Sequence, residues 1–232
     1  MNKSKILGGL VLLTYVLYVV FQFGGEDLVA FNLRSLIFPI VALTYFICIR
    51  EKTILFNLFL IFYASSELLD LIANHLSDTF YYVLGSSLYV LAYIMLIIEI
   101  WQFMNFSYLL KNFKIHLLVL VGLNIYSVYV LHVVVKSYLN LNYQLFMEFV
   151  YNVVMLTLLS SSLLNYLCRD NKKSLYMFIG SLLIVFSEVI SVAYMYIYPA
   201  NSIHLIVVSL SLLAFYFFYQ QSRLNNISQS TY

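Results

Sequence analysis

Apolar runs long enough to span a bilayer, broken by short charged or turn-forming clusters, recur along almost the whole chain. A membrane-crossing helix needs roughly 20 mostly apolar residues, and the clusters fall at about that interval. The pattern predicts helices over 6–23, 33–49, 54–73, 80–103, 115–135, 143–167, 174–198 and 203–219. The expected fold is all-α: a polytopic membrane bundle of eight transmembrane helices forming one domain over 1–222, with 223–232 as a short polar C-terminal tail. With 63% hydrophobic and 9% charged residues, the chain is too apolar for an ordinary soluble domain.

Lys and Arg resist translocation, so their distribution sets orientation. Lys3, Lys5, Arg50, Lys52, Lys111, Lys114, Arg169, Lys172, Lys173 and Arg223 fall on the side of the N-terminus, and only Arg34 and Lys136 fall opposite. Both termini are therefore expected in the cytoplasm, which requires an even number of spans. Lys3 and Lys5 followed by an apolar run imitate a secretory signal. No small-residue cleavage pattern follows before Phe21-Gln22-Phe23-Gly24-Gly25, and the segment reads as a retained span. No organelle address is legible, which fits a bacterial cytoplasmic membrane.

Cys48 and Cys168 lie near cytoplasmic helix ends, where a disulfide is not expected. The four histidines lack the short spacings that place metal ligands on one helix face, so neither a metal nor a cofactor is implied. A net charge of +2 carries no nucleic-acid signature. The tyrosine pairs 81/82, 196/198 and 216/219 fall near span ends and read as interfacial anchors.

Against this background two carboxylates stand out. Glu67 and Glu188 each follow a serine, Ser66 and Ser187, deep within an apolar stretch. An ionisable group in a bilayer costs several kcal/mol and generally faces a partner or a wet cavity. Counted from Ile54 and Ser174, the two lie about 20 and 21 Å along helices that should run in the same direction. A common membrane level follows. Tyr63, Glu67, Asp70 and Asn74 share a helix face, with Asp70 and Asn74 approaching the outer headgroups. Tyr89, Tyr93, Asn124, Ser127, Glu148, Asn152 and Ser191 add polar groups that read mainly as links between helices.

Two carboxyls meeting in low dielectric can share a proton. That arrangement suits cleavage of acetal-like bonds and enol ethers, in which one carboxyl protonates and the other activates water or steadies an oxocarbenium-like cation. The chain resembles the YhhN/TMEM86 family of eight-span membrane proteins. The likeness rests on Phe62-Tyr63-Ala64-Ser65-Ser66-Glu67 with Leu68 and Leu69, on Gly85-x3-Tyr89-x2-Ala92-Tyr93, and most strongly on Gly180 through Ser187-Glu188. The family includes lysoplasmalogenases, which hydrolyse the vinyl ether of lysoplasmalogens to a fatty aldehyde and a glycerophospho-base. Glu67 and Glu188 stand where the family pattern has Asp, and Tyr93 where it has His.

The resemblance implies Glu67 and Glu188 as the catalytic pair, with Ser66, Tyr93, Ser187, Asp70 and Asn152 around a lipid-like or small amphiphilic substrate drawn from membrane lipids. Three other readings use the same residues: a noncatalytic lipid binder, a proton-coupled carrier, and a structural pair satisfied by Ser66, Ser187, Tyr93 and Asn152.

Overall fold

The computed structural model describes residues 3–139 and 141–224, so the polar tail expected at 225–232 lies outside the described residues. Nine α-helices account for most of them: α1 (Lys3–Gly24), α2 (Asp27–Cys48), α3 (Ile54–Asp70), α4 (Asp78–Gln102), α5 (Phe106–Asn112), α6 (Lys114–Lys136), α7 (Asn142–Arg169), α8 (Lys172–Tyr196) and α9 (Asn201–Ser222). Seven of these, α1, α2, α4 and α6 to α9, are long and apolar enough to cross a membrane. α3 falls just short of that length. Its 17 residues span about 25 Å, after which the chain turns into a 3-10 segment, Ala73–His75.

Several boundaries differ from those expected. α2 begins at Asp27 rather than at 33, so Arg34 lies about two turns into the helix and not at its first turn. α3 ends at Asp70 instead of 73. The short α5 was not anticipated. Asn105 caps it by accepting from the Tyr108 amide, and seven residues are too few to leave a hydropathy signal.

Neighbour packing closes a ring: α2 packs on α3, α3 on α4, α4 on α7, α7 on α8, α8 on α9, and α9 returns to α2. α1 lies outside, against α2 and α9, and α6 lies against α7. Hydrogen bonds fix the register. α1 runs antiparallel to α9 through Tyr15 to Ser209 and Tyr18 to His204, while α4 runs parallel to α7 through Tyr82 to Glu148 and Trp101 to Ser161. Asn124 and Ser160 join α6 to α7, the interhelical role expected of Asn124.

At one helix contact glycine makes room for its neighbour. A β-carbon on Gly180 would stand 2.5 Å from the Phe218 ring and 3.2 Å from the Ala214 carbonyl, so its absence lets α8 and α9 pack closely there. At the end where α1 begins and α9 finishes, Tyr45, Phe56, Phe59, Phe215 and Phe218 fill the ring with aromatic side chains, all almost fully buried. The opposite end is hollow.

Candidate functional site

That hollow is a cavity of about 320 Å³. Its walls come from the first half of α2 (Arg34, Phe38), the end of α3 (Tyr63 to Asp70), the start of α4 (Tyr81 to Tyr89), the start of α7 (Met147 to Tyr151), the end of α8 (Ser187 to Tyr196) and the start of α9 (His204 to Ser211). All six helices contribute the parts nearer the end of the bundle at which α1 finishes and α9 begins. Phe38, Tyr63 and Phe215 pack at centroid distances of 4.7 to 5.3 Å where the cavity meets the aromatic core.

Glu67 and Glu188 both line this cavity, from α3 and α8 on different parts of the ring. Measured from the observed helix starts, they lie about 20 and 24 Å along their helices, against the 20 and 21 Å expected from sequence. Each carboxylate receives one tyrosine of α4, and the two tyrosines are one turn apart. Tyr89 donates to Glu67 Oε1 at 2.7 Å, and Tyr93 donates to Glu188 Oε1 at 2.6 Å. Glu67 is 5% exposed, and its Oε2 is enclosed without a hydrogen-bond partner among the described residues. An enclosed acceptor left unpaired is costly, and a ligand hydroxyl, an ammonium or a water would satisfy it.

The serines preceding the carboxylates face their own neighbours. Ser66 Oγ donates to the Gly85 carbonyl at 3.0 Å and ties α3 to α4. Ser187 Oγ donates to the Val207 carbonyl at 2.8 Å and ties α8 to α9. A hydroxyl has one proton, so Ser211, 2.7 Å away, must donate to Ser187. Both serines line the cavity, yet their hydrogen bonds stitch helices together.

Asp70 also borders the cavity, with its carboxylate fully engaged. It forms an ion pair with Arg34, accepts from Tyr81 at 2.6 Å and from Ser35 at 3.3 Å, and so locks α2, α3 and α4. Tyr93 and Asn152 are not among the lining residues. Tyr93 meets the site only through its hydrogen bond to Glu188. Asn152 is 1% exposed, and neither amide atom has a partner among the described residues.

Several residues enter that sequence reasoning assigned elsewhere. Arg34, read only as a basic residue at the start of the second helix on the side opposite the termini, lines the cavity; its signal was a charge opposite to that of Asp70 on the same side. Tyr81, Tyr82 and Tyr196, read as interfacial anchors, turn inward, because the hydroxyls of Tyr82 and Tyr196 donate to Glu148 Oε1 at 3.0 and 3.5 Å and that of Tyr81 donates to Asp70. His204 had no sequence signal. Its Nε2 lies 3.4 Å from Arg34 Nη1, which can only donate, so the ring proton sits on Nδ1 and points at Tyr18. Tyr194 stacks on that ring at 4.7 Å.

Compared with known proteins, the chain matches no family model, no curated protein and no solved structure.

Proposed function

We propose that this chain is a multi-pass membrane hydrolase of the YhhN/TMEM86 type, acting on the vinyl ether of a lysoplasmalogen-like lipid. The observation that carries the reading is the joint exposure of Glu67 and Glu188 to one cavity inside an apolar bundle. Glu67, with its unpartnered Oε2, delivers a proton to the β-carbon of the vinyl ether. The resulting oxocarbenium ion is attacked by water, which yields its proton to Glu188. The hemiacetal so formed breaks its bond to the glycerol oxygen, giving aldehyde and alcohol, so one water is consumed and the carboxyls regain their starting states after proton exchange.

In the same reading α3 is an eighth crossing, and both termini face the cytoplasm of a bacterial cell. Support comes from the basic residues flanking the terminal side and from the 3-10 segment that extends α3. The cavity then opens toward the outer leaflet.

A second reading, noncatalytic binding of an amphiphile, draws support from the position of Tyr93, whose hydroxyl is held by Glu188 outside the cavity lining. One assay separates them. Purified protein given a lysoplasmalogen should release fatty aldehyde, and Glu67→Gln and Glu188→Gln should each lose at least about a hundredfold in rate. Wild-type protein that binds the lipid but releases no aldehyde would leave the binding reading in its place.

A further inference from the structure

The aromatic end of the bundle also encloses polar groups, on the side of the ring formed by α4, α7 and α8. Glu99 is 5% exposed, Asn165 5% and Ser181 0%. Glu99 Oε2, Asn165 Oδ1 and Ser181 Oγ have no hydrogen-bond partner among the described residues, and neither has Asn57 Oδ1 on α3. None of these four residues lines the cavity that holds Glu67 and Glu188.

Helix register brings the four oxygens to similar depths. Arg169 of α7 lies over the Phe103 ring of α4 at 5.3 Å, and Glu99 and Asn165 each stand one turn before that contact on two parallel helices. Tyr166 of α7 stacks on Phe178 of α8 at 6.1 Å. Because α8 runs antiparallel to α7, Asn165 and Ser181 both lie inward of that stack, about 3 Å apart in depth. Thr53 stands beside Glu99, and Asn57 follows it by one turn on the same face of α3.

Carboxylate and amide oxygens only accept hydrogen bonds, so three of the four atoms cannot satisfy one another, and their enclosure keeps bulk water away. Hard oxygens carrying a single formal negative charge are a donor set for an alkali cation. A divalent ion gathers more carboxylates, and among the described residues no three His, Cys, Asp or Glu side chains could hold one. Lys173 also stands near Glu99. Its ammonium donates to the Leu224 carbonyl at 3.1 Å and makes no hydrogen bond to the enclosed Glu99 oxygen.

We infer that Glu99, Asn165, Ser181 and Asn57 hold a monovalent alkali cation, which ties α3, α4, α7 and α8 together at the aromatic end of the bundle. The site is separate from the carboxyl pair in the cavity and stands whether or not that pair turns substrate over.

The test uses the full-length protein in nanodiscs of zwitterionic lipid, with radiolabelled Na+ and K+ as probes, one at a time. At least one should saturate at about one ion per chain and be displaced by the same unlabelled ion but not by choline. Glu99→Gln should weaken that binding at least about tenfold, since it removes the only formal negative charge. Asn165→Leu should weaken it several-fold, and Glu188→Gln, in the cavity, should leave it unchanged. In parallel, exchanging N-methylglucamine chloride for the chloride of the bound ion at constant ionic strength should raise the unfolding temperature of the wild type, with a rise that levels off as the site fills. If Glu99→Gln does not fold, Asn165→Leu and the salt dependence of the wild type decide. Saturable binding of neither ion, an unfolding temperature indifferent to the exchange, or a folded Glu99→Gln variant that binds like the wild type overturns the proposal. So does a loss in Glu188→Gln equal to that in Glu99→Gln, which would move the ion to the cavity. Since none of these readouts requires aldehyde release, an inert hydrolase and an absent cation site give different results.

Discussion

Toward the start of α3 and the end of α9, Phe56, Phe59, Phe215 and Phe218 close the space between these helices with ring centroids 5.4 to 6.3 Å apart; toward the other end, the same two helices help to line a cavity of about 320 Å³. The difference lies in what holds the helices. In the aromatic half, contact itself is the attraction, and any void forfeits it. In the polar half, directional bonds such as Ser66 to Gly85, Ser187 to Val207 and the Arg34–Asp70 pair fix the helices at the rim, so the middle need not be filled. A bundle of this kind can keep a hollow only where polar groups replace packing. The carboxylates are placed at the boundary between the two regimes.

If this division is right, variants in the two halves should separate stability from activity. The largest loss of stability is expected for Phe215→Ala, about 3–5 kcal/mol, since it removes a ring that touches Phe38, Phe59, Tyr63 and Phe218. Unfolding in mixed micelles measures it, and a loss below about 1 kcal/mol would mean that the rings do not form a dense core. Arg34→Met comes next, at about 3 kcal/mol, because it strands the Asp70 carboxylate; an Arg34→Met, Asp70→Leu double variant should recover most of it. Recovery absent from the double variant would show that the pair is not the rim lock described. Gly180→Ala should cost about 1–3 kcal/mol, as the Phe218 ring must shift, and an unchanged melting temperature would place α8 and α9 farther apart than described. The smallest effect is expected for Ser187→Ala, about 0.6 kcal/mol, a typical interhelical hydrogen bond. A drop in aldehyde release much larger than this stability loss would instead put the hydroxyl in contact with substrate.

The same division explains what the sequence disclosed. Apolar length is a local property, and the eight long helices were legible to within a few residues except where α2 began early. There Arg34 resembled a boundary, because a charge in a helix is excused only by a partner, and Asp70 lies 36 residues away. The Ser-Glu pairs were legible because a carboxylate deep in an apolar run has few casual explanations. The ring of partners was not. Whether Tyr82 or Tyr196 faces lipid headgroups or Glu148 depends on helix rotation, and tyrosine at a span end satisfies both environments equally well. Asn152 misled in the other direction: it is as buried as expected, but on a side of α7 that does not border the cavity.

The joint approach of α3 and α8 to one hollow is most directly tested by replacing Glu67 and Glu188 with cysteine in a chain whose Cys48 and Cys168 have been changed to serine, then treating native membranes with a short, water-soluble bifunctional thiol reagent. Mass spectrometry should find a bridge between positions 67 and 188 within single chains. Cysteines that react only singly, and only with lipid-soluble reagents, would mean that the two positions face the bilayer rather than each other across a shared cavity.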